Sequence, residues 1–296
     1  MIIAVDKGTT FTKTENISFK STIREYKEDE INFSQDKIIV KYNNKKYVIG
    51  DKGKTNTDLF KSKQEETKLL ILTAIVLDNP EEPIKRVKLV TGLPIGRYAE
   101  ERYNMIKLFE NTKNELWVNG LKYIVEIKET EVFPEGASSF YYVEADEGLV
   151  IDIGGLSVDI AQFNKGKVLN KYSTYKMGIM PLYRQIANRL NNKYSLSLDE
   201  WDIEDKIKNG LFINGHRINI NADDLINNHV QQILQAIEFE YDLPIIKNVF
   251  ITGGGGYLLY PYFKEKIKRV QLMPEPQFSN IHTYKILAEV LFNEKG

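Results

Sequence analysis

The sequence contains no cysteine, which excludes disulfides, thiolate nucleophiles and cysteine-ligated zinc. Its three histidines, His216, His229 and His282, are too scattered for an HExxH zinc helix. Neither sign of charge dominates: 40 Lys and Arg against 41 Asp and Glu leave a net charge of -1. No global field therefore draws the chain to nucleic acid or anionic lipid, and direct nucleic-acid binding is not expected. Long apolar runs are missing too. The most apolar stretch, Leu69 to Leu77, falls well short of the ~20 residues that span a bilayer and reads as a buried helix. Met1-Ile2-Ile3-Ala4-Val5-Asp6 meets a carboxylate too early for a secretory signal, so a cytoplasmic location and no membrane are expected. What is present is 296 residues, 42% of them hydrophobic, enough for one large or two ordinary domains with a real core.

Laid on itself, the sequence echoes once. Ile3-Ala4-Val5-Asp6-Lys7-Gly8-Thr9-Thr10-Phe11-Thr12-Lys13 parallels Leu149-Val150-Ile151-Asp152-Ile153-Gly154-Gly155-Leu156-Ser157-Val158-Asp159. Each is an apolar strand ending in Asp-x-Gly. One echo near half the chain length implies two similar domains meeting near residue 146, not a short-period array.

Strand and helix patterns alternate through both halves. Lys37 to Gly50 reads as a hairpin around Asn43-Asn44-Lys45, and Leu116 to Ile127 as another around Asn119-Gly120. Helical patterns cover Thr67 to Leu77, Arg97 to Leu108, Pro181 to Asn191, Ala222 to Tyr241 and Asn280 to Phe292, and a further helix is expected to open at Pro134-Glu135. Leu198 to Lys208 and a short hairpin at Gly210 to Ile220 complete the second half. Alternating elements with inserted hairpins predict an α/β protein with mixed sheets.

Two loops have the chemistry of phosphate binding. In Asp6-Lys7-Gly8-Thr9-Thr10 a strand delivers a carboxylate, glycine permits close approach, and turn amides can cradle phosphate oxygens. An ordinary β-turn would use the same residue types. In the second copy, Asp152-Ile153-Gly154-Gly155, the carboxylate ends a more apolar strand, where an unpaired charge is costly. Two facing loops of this kind would clamp a Mg²⁺-triphosphate, since Mg²⁺ takes few protein ligands and shares phosphate oxygens. A third element, Val249-Phe250-Ile251-Thr252 followed by Gly253-Gly254-Gly255-Gly256, permits close backbone approach to a nucleotide, or simply a close-packed turn. Gly53-Lys54-Thr55 imitates the end of a P-loop, but Val48 stands where that motif requires glycine, so a solvated loop is expected there.

In this order, the three elements resemble those of the actin, Hsp70 and sugar kinase superfamily. Val90-Thr91-Gly92-Leu93-Pro94 and the compact length are similar to bacterial actins of the plasmid-segregation (ParM) type. The resemblance spans nearly the whole chain. It implies an actin-like fold, two related α/β domains with mixed sheets flanking a nucleotide cleft: residues 1–145, rejoined by a C-terminal helix over 280–296, and residues 146–279. Carried onto this sequence, it implies that Asp6 and Asp152 position Mg²⁺ and water. Gly8, Thr9, Thr10, Gly154 and Gly155 would wrap the phosphates, and Lys13 would neutralise their charge. Glu135, in Phe133-Pro134-Glu135-Gly136, matches the residue that orients the attacking water, although a helix-start carboxylate would look the same. Glu204 and Lys208 would wall the adenine pocket, or form an ordinary i, i+4 ion pair. Gly253, Gly254 and Gly255 would lie along the adenosine. Ala288 stands where the family's last helix usually carries glycine.

The resemblance implies a filament-forming ATPase using ATP, or GTP, with Mg²⁺. Its partners would be further copies of itself and a DNA-binding adaptor, and its work the segregation of plasmid or phage DNA. A small-molecule kinase or phosphatase of the same superfold is the alternative, although no sugar-site motif follows Gly92-Leu93-Pro94. A membrane-associated scaffold would require an amphipathic terminal helix, and Asn293-Glu294-Lys295-Gly296 is polar.

Overall fold

The computed structural model describes residues 1–28, 37–51 and 60–294; Gly53-Lys54-Thr55, Lys295 and Gly296 lie outside them. The chain divides into two compact units, residues 1–144 with 278–296, and residues 145–277.

The first unit runs through β1 (Ile2–Lys7), β2 (Phe11–Lys13), β3 (Ser18–Lys20), β4 (Ile23–Glu25), β5 (Ile38–Tyr42), β6 (Lys45–Ile49), α1 (Glu65–Asp78), β7 (Ile84–Leu93), α2 (Ile95–Phe109), β8 (Thr112–Val118) and β9 (Leu121–Pro134). Among the described residues these strands form one nine-stranded sheet in the order β3-β2-β1-β7-β9-β8-β5-β6-β4. The central β1, β7 and β9 are parallel, and hairpins extend the sheet on both sides. Turn chemistry explains the hairpins. Asn43 and Asn44 have φ of 49° and 61°, and Asn119 and Gly120 have 50° and 87°, the left-handed pairs that a two-residue turn requires.

Alternation along β1 decides what covers each face of the sheet. Ile3 and Val5 pack with α1 and α2, whereas Ala4 packs with the C-terminal helix. α1 is buried almost all round, from Leu69 to Val76, which accounts for its unbroken apolar run. β9 ends at Pro134, beside Leu93 of β7. The helix expected to open at Pro134-Glu135 is corrected: Pro134 is the last residue of a strand, where its missing N–H is tolerated. A 3-10 helix, Ala137–Tyr142, follows Gly136.

The second unit contains β10 (Gly148–Ile153), β11 (Val158–Asn164), β12 (Val168–Tyr175), α3 (Ile179–Tyr194), α4 (Glu200–Asn209), β13 (Leu211–Ile213), β14 (His216–Ile218), α5 (Asp223–Glu240), β15 (Val249–Thr252), α6 (Gly256–Lys266) and β16 (Val270–Leu272). Five of its strands form a mixed sheet, β12-β11-β10-β15-β16, and β13 pairs with β14 separately. α5 buries Ile226, Val230, Ile233 and Ile237 as one stripe. The echo in sequence is an echo in structure: β1–β2 and β10–β11 are both strand-turn-strand units, and each first strand has a parallel neighbour on its other side.

The chain closes with α7 (Ser279–Glu294) in the first unit. Ala288 is fully buried there with Ala4, Val90, Ile281 and Tyr284, so alanine is small enough for this close packing. Among the described residues no helix is long and apolar enough to cross a membrane.

Candidate functional site

Parallel strands bring their carboxyl ends to one edge, the usual position for ligand-binding groups in α/β sheets. In the first unit that edge carries Asp6 at the end of β1, Gly92 in β7 and Glu135 just after β9. β7 lies between the other two strands, which sets the ends of β1 and β9 about 10 Å apart.

Asp6 is directly opposite Lys13 on β2, and Lys13 Nζ pairs with Asp6 Oδ2 at 3.0 Å with both side chains buried. Lys13 thus balances the charge of Asp6. The turn is tight: a Cβ on Gly8 would lie 2.8 Å from the Phe11 carbonyl oxygen. Ser21 engages two of its carbonyls, donating through Oγ to Gly8 O at 2.8 Å and through N to Thr10 O at 2.7 Å. The capacity of the turn for an anion therefore resides in its amides and the Thr9 and Thr10 hydroxyls.

Two buried lysines stand beside Glu135. Lys61 donates through Nζ to Lys7 O at 2.7 Å and forms an ion pair with Glu135 Oε1. Lys7 donates through Nζ to Gln64 Oε1 at 3.4 Å. Burial, and secondarily the Lys61 charge, lower the Lys7 ammonium to about 8. Glu135 itself is anchored by its backbone, donating N–H to Leu93 O at 2.7 Å. It belongs to a strand-end turn, so its resemblance to a helix-start carboxylate is not realised.

In the second unit Asp152 ends β10 and is directly opposite Asp159, where the first unit has lysine. Both carboxylates are buried. Asp159 accepts from Thr174 Oγ1 at 2.5 Å and from Ser157 Oγ at 3.2 Å. The Gly154-Gly155 loop is fastened to the start of α3, with Ile179 N donating to Gly154 O and Met180 N to Gly155 O. Gly178 completes the contact, because a Cβ there would lie 2.4 Å from Gly155 O.

The four glycines after β15 have different roles. Gly253 has φ +84°, and a Cβ on it would lie 2.2 Å from Asp152 Oδ1. A Cβ on Gly255 would lie 2.5 Å from Ile153 Cγ2, whereas one on Gly254 meets nothing within 4 Å. Gly253 and Gly255 thus let the loop press against β10, whereas Gly254 faces open space.

A cavity of about 480 Å³ in this unit is lined by α4, β14, the start of α5 and α6, including Lys206, Ile207, Arg217, Leu258 and Tyr262. Glu204 and Lys208 are not among its lining residues. They pair with each other at 2.6 Å along α4, with Lys208 exposed, the ordinary i, i+4 geometry.

Among the described residues no three His, Asp or Glu side chains gather to hold a metal alone. A single carboxylate at the end of a strand, such as Asp6 or Asp152, is the kind of protein donor that Mg²⁺ combines with water and substrate phosphates. Sequence reasoning did not assign roles to Lys7, Lys61, Gln64 or Asp159. Asp159 was visible as the echo partner of Lys13, and Lys7 lies inside the first motif. Lys61 and Gln64 have no local signal, since only the fold brings Lys61 to Glu135 and Gln64 to Lys7.

Comparison with known proteins follows the same division. Residues 4–137 match the family model for the N-terminal domain of actin-like proteins, and residues 150–265 match that for the C-terminal domain of the archaeal MreB-like actin homologue. No curated protein matches the sequence. Among solved structures, the archaeal actin homolog Ta0583 in complex with ADP superposes with a TM-score of 0.83 at 15% identity, covering 98% of this chain and 99% of that one. A 15-stranded ParM filament from Clostridium botulinum gives 0.78 at 19% identity, with 98% and 99% covered. The Alp12 filament gives 0.68 at 18% identity, with 98% of each chain covered. With both halves matched by actin-like family models and the whole chain following the two-domain actin-like fold, this protein belongs to the actin-like superfamily.

Proposed function

We propose that the chain is a nucleotide-dependent, filament-forming ATPase of the plasmid-segregation type, acting on DNA through a DNA-binding adaptor. The observation that carries the ATPase reading is the position of Glu135. A carboxylate follows the end of β9, two strands from Asp6, and a buried lysine holds one of its oxygens.

In this reading Asp6 and Asp152 hold the waters of Mg²⁺, and the turns at Gly8 to Thr10 and Gly154 to Gly155 receive phosphate oxygens. When bound, Mg²⁺ supplies charge neutralisation on the phosphates. A carboxylate has about four lone-pair sites, so Glu135 can accept from Lys61 and still accept a hydrogen bond from water. It orients that water and takes its proton as the water oxygen bonds to the terminal phosphorus. The bond to the bridging oxygen breaks and the nucleoside diphosphate leaves. The loop at Gly253, Gly254 and Gly255 would lie along the nucleoside, with open space at Gly254.

The filament reading is supported by likeness to ParM and Alp12 filaments, and nucleotide binding by likeness to an ADP complex. A net charge of -1 suits a filament that reaches DNA through an adaptor. The test is phosphate release from Mg-ATP by wild type and Glu135→Ala. Wild type should turn over and Glu135→Ala should bind nucleotide but hydrolyse it about a hundredfold more slowly. Equal rates would remove Glu135 from the mechanism.

A further inference from the structure

We propose that Asn280 and Tyr284, on the C-terminal helix α7, are positioning residues for Glu135; the inference rests on the ATPase reading above. Glu135 is followed by Gly136, whose φ of 72° and ψ of -60° suit glycine alone. The sharp turn buries the Gly136 N–H, which would be costly without an acceptor. Asn280 supplies one: its Oδ1 accepts from Gly136 N at 3.2 Å in a buried contact between residues 144 positions apart. This bond fixes the peptide immediately after Glu135, and the Glu135 N–H to Leu93 O bond fixes the one before.

Tyr284, one helical turn after Asn280 and on the same face, fixes the side chain. It is fully buried and its ring stacks on Phe133 with centroids 5.9 Å apart. A Cβ on Gly92 would lie 2.0 Å from the Tyr284 hydroxyl oxygen and 2.9 Å from Glu135 Cγ. The ring tip and the carboxylate's stem thus flank one glycine Cα, and Tyr284 limits how far Glu135 can swing toward β7. The same helix reaches the end of β2. Lys285 pairs with Glu15 at 2.8 Å, and the Phe278 ring, just before α7, lies 5.9 Å from the Lys13 ammonium that holds Asp6. α7 therefore braces Glu135 from the face of the sheet opposite α1, while Lys61 holds it from the other side.

Two measurements test this. The first is amide hydrogen exchange at Gly136 in nucleotide-free wild type, Asn280→Ala and Asn280→Asp. The second is kcat for Mg-ATP alongside nucleotide affinity in the same proteins. Asn280→Ala should speed Gly136 exchange at least about tenfold and lower kcat about 10- to 100-fold. Its nucleotide affinity should stay within about twofold, because no phosphate contact is lost. Asn280→Asp, which keeps the acceptor oxygen, should restore both. Tyr284→Leu, which removes both the ring on Phe133 and the hydroxyl beside Gly92, should lose kcat like Asn280→Ala. Unchanged kcat in Asn280→Ala would overturn the inference, and so would a kcat loss matched by an equal loss of affinity. If wild type itself hydrolyses nothing, the ATPase reading fails and this inference with it, a result distinct from a variant indistinguishable from an active wild type.

Discussion

Lys61 ties the end of β1 to the residue after β9: one buried ammonium donates to the Lys7 carbonyl at 2.7 Å and pairs with Glu135. Removing one member of a buried ion pair costs more than the pair contributes, because the other charge is left without compensation. Lys61→Met should therefore destabilise the protein by about 3 kcal/mol, read as a fall in urea midpoint. Adding Glu135→Gln should recover part of that loss, whereas strictly additive losses would show that the two groups do not interact.

Lys7 should make stability depend on pH in the alkaline range. Its ammonium titrates at about 8 in the folded chain, chiefly because of burial, whereas an unfolded lysine titrates near 10.4. Below about pH 8 both states hold the proton and the cost of burying the charge is fully present. Between about 8 and 10.4 the unfolded chain binds the proton that the native chain has released, so stability rises with pH. The gain should approach about 3 kcal/mol across that window and be missing in Lys7→Met. Parallel stability profiles for the two proteins would contradict this origin.

The turn after Asp152 makes a different trade. Asp152 and Asp159 are buried and directly opposite, and like charges across a strand pair oppose folding. Asp152→Asn should raise the denaturant midpoint of the nucleotide-free protein, by about 1 kcal/mol in stability. The same variant should lose most of the thermal shift that Mg-ADP gives wild type. A variant both less stable and fully responsive to Mg-ADP would show that Asp152 is a structural carboxylate only.

Adjacent glycines should respond oppositely. Gly253→Ala combines a positive φ with a Cβ 2.2 Å from Asp152 Oδ1, so it should cost more than about 2 kcal/mol. Gly254→Ala meets nothing within 4 Å and should leave stability within about 0.5 kcal/mol while weakening nucleotide binding. Equal melting temperatures for the two variants would contradict this division.

Much of this was legible locally. Asn119-Gly120 announced its hairpin because left-handed turn residues have few other uses, and the Asp6 and Asp152 echo exposed the repeated strand-turn-strand unit. Pro134 misled because proline suits the first turn of a helix and the end of a strand equally. The glycine run read as uniform, yet only contact with Asp152 and Ile153 separates Gly253 and Gly255 from Gly254. Lys61 and Asn280 were illegible as partners of Glu135, since each reaches it across a long stretch of chain that only the sheet topology brings together.

The most direct test of the account is right-angle light scattering of the purified protein on adding Mg-ATP, with Mg-ADP as control and phosphate release followed in the same samples. A nucleotide-dependent rise above a critical protein concentration, followed by decay as phosphate appears, is the predicted result, and Glu135→Ala should rise equally and decay more slowly. Flat scattering across a wide range of protein and salt concentrations, with or without hydrolysis, would contradict the filament reading and favour a small-molecule kinase of the same fold.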